Sequence, residues 1–168
     1  MSKAFRREDE TEDPAIVAPR APLPEGVPNY VTAQGLTQLR EELVQLDAEQ
    51  EQIAREREGL VTPESAALAA RRAELEHRIA SAQLVVAPAE ERDEVRFGAT
   101  VAIEGEAGMR RYTIVGVDEA DAARGKIAFV SPLARALLGR SVGDVVRLRT
   151  PRGQETLRID SVDYDRRE

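Results

Sequence analysis

A heptad seam constrains this chain more than any other feature. Leu36, Leu39, Leu43, Leu46, Ile53 and Leu60 recur at alternating three- and four-residue spacing, with Gln50 and Arg57 filling the gaps in the series. That spacing keeps one stripe of a helix apolar and requires a partner along its length. Thr32 offers a hydroxyl to cap the start. Gly59-Leu60-Val61-Thr62-Pro63 breaks the pattern. Thr62-Pro63-Glu64 then restarts a helix with a cap, a proline at the first helical position and an acid in the first turn. Leu68, Leu75, Ile79, Ala82 and Val86 follow at matching spacing, interrupted by Arg72. Two seams joined by a short turn predict an antiparallel helical hairpin over residues 29–86. At 1.5 Å per residue the first arm is a rod of roughly 40 Å. Such a rod has a thin core. It is a poor place for a pocket and a good shape for reaching into something.

The flanking segments are different materials. Residues 1–28 mix charges with Pro14, Pro19, Pro22, Pro24 and Pro28, which predicts a disordered tail. Ala15-Ile16-Val17 is its one apolar stretch that could serve a partner. Residues 87–168 read as five strands, at 95–104, 110–118, 126–131, 144–150 and 155–164, with turn signals between them. Between the third and fourth strands lies Ser131-Pro132-Leu133-Ala134-Arg135-Ala136-Leu137-Leu138-Gly139. Ser131 can cap a helix, Pro132 suits its first position and Gly139 can stop it. The expectation is a small antiparallel sheet with one short helix laid on it, giving an α+β chain overall. The open question is whether that helix is wholly buried.

Composition excludes several function classes. The 168 residues carry a net charge of −7, with −2 in the tail, −4 in the hairpin and −1 in the last part. A broad basic face for bare nucleic acid is therefore not expected. Arg71-Arg72, Arg110-Arg111 and Arg147/Arg149 are scattered pairs, and stacking aromatics are missing. The absence of cysteine excludes disulfides, thiolate metal sites and cysteine nucleophiles, and is compatible with the cytoplasm. No apolar run is long enough for a membrane span, and no secretory signal is visible at the N-terminus. The one histidine, His77, has no second His or Cys to complete a site. Gly105-Glu106-Ala107-Gly108 is a turn whose acid opposes phosphate, and no serine sits in an elbow motif. A chain with its own active site is not expected.

These pieces resemble the GreA/GreB family of bacterial transcription elongation factors, over about residues 30–164. The resemblance rests on Thr32-Ala33-Gln34-Gly35 with Leu39 and Glu42-Leu43, on Phe97-Gly98-Ala99-Thr100-Val101, and on Ile114-Val115-Gly116-Val117-Asp118-Glu119. Its most specific part is Ser131 to Gly139 followed by Val142-Gly143-Asp144. It implies an antiparallel coiled coil over 29–86 and an FKBP-like domain, without prolyl isomerase activity, over 87–168. It also implies docking on RNA polymerase at the rim of the secondary channel, with the coiled coil pointing down the channel. The docking residues it suggests are Ser131, Pro132, Leu133, Arg135 and Ala136. Nucleic acid would be met only inside that complex, by a monomer with no membrane role.

In cleavage-competent members, acidic residues at the hairpin tip help hold a metal ion and water at the polymerase's own centre, where backtracked RNA is hydrolysed. The family's tip reads Gly-Asp, two variable residues, Glu-Asn-Ala, one variable residue, Tyr. That pattern is absent from residues 55–72 here. Glu56, Glu58 and Glu64 remain as tip acids, and the polymerase's Mg²⁺ is the one cofactor they could meet. The expectation is binding with weak or no stimulation of cleavage and no intrinsic cofactor. The alternatives are a cleavage factor using those glutamates and an adaptor pairing through Ala66, Ala67, Ala69 and Ala70. Proteins resembling regulators of nucleoside diphosphate kinase share the same plan.

Overall fold

The computed structural model describes residues 20–88 and 93–164. Strand β1 (Asn29–Val31) leads into helix α1 (Ala33–Glu56), capped as expected by Thr32, whose hydroxyl accepts from Gly35 N. Helix α2 (Pro63–Ala80) starts at Thr62, and Thr62 and Ser65 cap each other reciprocally. Between the helices the chain turns through Glu58 and Gly59, both in the left-handed region, with φ of 50° and 77°. The twenty-four residues of α1 span about 36 Å.

Leu39, Leu46 and Leu75 are buried along the seam, with Leu36, Leu43, Leu68 and Ile79 packed around them. The seam is shorter than the spacing predicts. Leu60 lies in the turn and is 72 % exposed. Ala82 belongs to strand β2 (Ala82–Leu84) and still packs on the seam, whereas Val86 lies beyond it, 77 % exposed. β2 leaves α2 to pair in parallel with β1, Asn29 opposite Ala82. This two-stranded clip ties the start of one arm to the end of the other.

The remaining strands are β3 (Ala99–Gly105), β4 (Gly108–Val115), β5 (Lys126–Ala128), β6 (Val145–Thr150) and β7 (Gly153–Tyr164), in the order β5-β4-β3-β7-β6. All neighbours are antiparallel except β4 and β5, so the sheet is mixed, not wholly antiparallel as expected. The reason is the connection. After β4 the chain runs through two 3₁₀ turns, Val117–Glu119 and Ala122–Arg124, and returns alongside in the same direction. Val95 starts no strand. It is buried, donates to Arg140 O and accepts from Gly139 N. Between the third and fourth predicted strands, only Pro132–Leu137 is helical (α3). Ala134 and Leu137 close the sheet's core with Val101, Ile103, Ile114, Leu157 and Ile159.

Candidate functional site

The tip acids do not converge. Glu56, near the end of α1, accepts from Gln52 Nε2 at 2.9 Å. Glu58 sits in the turn with positive φ, and Glu64 lies in the first turn of α2. All three are exposed, and between them stand Leu60 and Val61, the latter 87 % exposed. Among the described residues no three His, Cys, Asp or Glu side chains gather where they could hold a metal ion. These residues therefore do not fit a self-contained Mg²⁺ site. His77 is exposed on α2.

Helix α3 faces two ways. Ala134 and Leu137 are buried, whereas Pro132 and Arg135 are exposed and Leu133 and Ala136 are half-buried. The Ser131 hydroxyl is committed to the cap, accepting from Ala134 N at 3.3 Å. Of the five expected docking residues, Pro132 and Arg135 are the exposed ones, and Leu133 also packs on the core.

The structure adds a joint that the sequence did not reveal. α1 has no acid in its first turn. Glu119, from the 3₁₀ turn after β4, supplies that charge from 87 residues away. Its carboxylate accepts from Thr32 N at 3.0 Å, from the Thr32 hydroxyl and from Gly116 N at 3.2 Å. A carboxylate at a helix N-terminus is stabilised by the free N–H groups and the helix dipole. Gly35 is buried against it, and a Cβ there would overlap the Glu119 side chain. A Cβ on Gly116 would stand 2.5 Å from Tyr30 O. Tyr30, Phe97 and Phe129 pack beside this contact with centroids 5.4–5.9 Å apart.

Charge reinforces the joint. Arg20 donates to Asp118 and to Glu42, each at 2.7 Å, so one guanidinium bridges α1 and the sheet unit. Arg78, buried on α2, lies 3.5 Å from Asp118 and donates to Ala21 O. Arg71 donates to Glu42 at 3.1 Å. Thus residues 20–28, expected to be disordered, begin with a clamp, while residues 1–19 of that expected tail, Ala15-Ile16-Val17 included, lie outside the described residues. Burial alone would raise the pKa of Glu42, but the hydrogen bond and charge of Arg20, with Arg71 behind, hold it below the usual carboxylate range. Burial would lower that of Arg20, and Asp118 and Glu42 outweigh it in the opposite direction. A depressed acid stabilises the fold above its unfolded pKa and loses that contribution as pH falls through its folded value. Stability is therefore expected to fall below the ordinary glutamate range. Arg20→Ala is expected to cost about 2 kcal/mol at neutral pH and to flatten this acid limb in urea titrations. An unchanged limb would contradict the clamp.

Comparison with known proteins places these motifs. The sequence profile described as "Transcription elongation factor, GreA/GreB, C-term" matches residues 89–164. The transcription elongation factor GreA of Desulfovibrio desulfuricans is 36 % identical over 159 residues, covering 80 % of this chain and 93 % of that protein. This chain belongs to the GreA/GreB family of transcription elongation factors. GreA of an Anaeromyxobacter species is 48 % identical over 94 residues, 55 % of this chain, and that stretch spans 57 % of the relative's length. GreA factor homolog 1 of Thermus thermophilus superposes with a TM-score of 0.37 at 24 % identity, covering 80 % of this chain and 97 % of that one. At that score it adds nothing to the assignment. Within this GreA/GreB chain, the Thr32–Gly35 and Gly116–Glu119 motifs meet at the joint. A helix start without its own acid and an acid pair after Gly116 were the signals that could have suggested it.

Proposed function

We propose that this GreA/GreB chain binds RNA polymerase at the secondary channel and stimulates transcript cleavage weakly or not at all. In this reading the sheet unit is an FKBP-like docking domain and the hairpin an antiparallel coiled coil aimed down the channel. The protein acts as a cytoplasmic monomer, an accessory factor rather than an enzyme, and meets RNA only within the complex. The observation that carries the reading is the tip, where exposed Leu60 and Val61 stand among glutamates that do not converge. The joint supports it too, because a rod pinned by Glu119 and Arg20 delivers its tip along one direction. Such a rod alters pausing or initiation by occupying the channel and competes with cleavage factors for the rim. Pro132 and Arg135 are exposed, so a Pro132→Ala, Arg135→Glu double variant is expected to keep its unfolding midpoint and lose roughly ten-fold or more in affinity for polymerase. Binding at full strength would move the docking face elsewhere.

A further inference from the structure

Strand β6 is an edge of the sheet, and its backbone is regular. Edges are ordinarily blunted by brevity, a bulge or a proline. β5, at the opposite edge, has only three residues. β6 has six, contains no proline and pairs with β7 in unbroken register. Among the described residues β7 is its only strand neighbour. The register fixes which of its backbone groups are free. Thr150 and Gly153 flank a two-residue turn, so they exchange hydrogen bonds, and bonded and non-bonded pairs alternate from there. Thr150, Leu148 and Val146 are thus bonded to β7. The N–H and C=O groups of Val145, Arg147 and Arg149 point outward. The side chains of those three residues are exposed as well, whereas Val146 is buried and Leu148 and Thr150 are half-buried.

The charge around this edge has one sign. From Ser131 to Gln154 stand Arg135, Arg140, Arg147, Arg149 and Arg152 against the single acid Asp144. Asp144 is engaged, accepting from Ser141 N at 2.9 Å. All five arginines are exposed, and none has an ion pair or side-chain hydrogen bond among the described residues. Across the strand, Arg147 and Arg149 stand opposite Thr156 and Gln154, so no acid neutralises them there. Elsewhere on the sheet the pattern is opposite, since Arg110, Arg111 and Arg158 pair with Glu155, Asp163 and Glu104.

We propose that β6 takes an extended acidic segment of another protein as an added strand. Its acids, at alternate positions, face Arg147 and Arg149, and an aliphatic residue between them lies beside Leu148. In such docking the backbone bonds hold the segment and the alternate side chains select it. Opposite charges across two strands stabilise the pair, and like charges destabilise it. A second copy of β6 is therefore a poor occupant, because it brings arginines to arginines. A nucleic acid fits less well too. The clustered aromatics Tyr30, Phe97 and Phe129 lie at the joint, and β6 with its turn has none on which bases could stack. The inference stands whether or not the chain binds polymerase.

The probe is a fluorescein-labelled peptide, Thr-Glu-Val-Glu-Val-Glu-Thr, titrated with the full chain at low salt. Saturable binding is expected. Methylating alternate backbone nitrogens of the peptide, which keeps its charge, is expected to abolish binding, and so is regrouping its glutamates into one run. Arg147→Glu with Arg149→Glu is expected to keep the unfolding midpoint and weaken binding roughly thirty-fold. The same variant is expected to bind the peptide with lysine in place of glutamate. Amide hydrogen exchange gives the site directly. Val145, Arg147 and Arg149 should exchange fast in the free protein and slowly with peptide, while Val146, Leu148 and Thr150 stay protected throughout. Absence of binding up to about 1 mM peptide overturns the proposal. So does equal binding of the methylated or regrouped peptide, which would show attraction to charge alone. Protection of the three outward amides before peptide is added also overturns it, by showing the edge already covered. Tighter binding of an oligothymidylate that displaces the peptide overturns it in favour of a nucleic-acid face.

Discussion

Gly35→Ala is expected to destabilise the protein by about 3 kcal/mol, although alanine is the better helix former by about 1 kcal/mol. Gly35 has ordinary helical backbone, so nothing about its conformation requires glycine. What requires it is the Glu119 carboxyl, packed where a Cβ would go. An alanine either strains that contact or expels Glu119. Expulsion strips acceptors from Thr32 N, the Thr32 hydroxyl and Gly116 N, and each bond to a charged group is worth about 1.5–3 kcal/mol. Glu119→Ala alone is expected to cost a similar amount. In the double variant the small residue at position 119 makes room at position 35, so the losses will fall well short of their sum. Urea unfolding of the two single variants and the double variant measures the coupling. Additive losses would mean that the joint does not work through this contact.

Leu137→Ala carries the second large effect, about 3–4 kcal/mol. Leu137 is wholly buried where α3 closes the core against the sheet. The cavity cannot refill easily, because Ala134 beside it is small and Ile103, Ile114 and Ile159 are held in strands. The measurement is the unfolding midpoint, paired with the Pro132→Ala, Arg135→Glu variant on the opposite side of the helix. Loss of stability from the first and of polymerase affinity from the second separates the inner face of α3 from the outer. A midpoint unchanged by Leu137→Ala would contradict the packing of α3 on the sheet.

The features legible in the sequence were those whose causes are local. Thr32, Thr62 and Ser131 cap the helices they precede because a hydroxyl needs only the N–H groups of the next turn. The strands of the sheet followed from alternation, as in Arg147-Leu148-Arg149, where Leu148 is half-buried between exposed arginines. The rest was hidden by distance along the chain. β1 and β2 are three residues each and exist only because a partner fifty-odd residues away pairs with them. Arg20 reads as one more charge in a proline-rich tail until Asp118, 98 residues on, stands next to it. Heptad spacing carried the seam past its end at Leu60 and Val86, because periodicity does not register that a left-handed turn or a strand has begun. At the tip the sequence shows a missing motif. There the structure contributes the positions of Glu56, Glu58 and Glu64, exposed and apart.

The most direct test of the central claim puts the purified protein with bacterial RNA polymerase halted in a backtracked complex, with Mg²⁺ present. Binding and RNA cleavage are followed in the same tube. Saturable binding is expected, with cleavage at or near the polymerase's unaided rate. No further loss is expected when Glu56, Glu58 and Glu64 are all replaced by glutamine. Strong stimulation that disappears in that triple variant would contradict it and make the tip glutamates the functional acids.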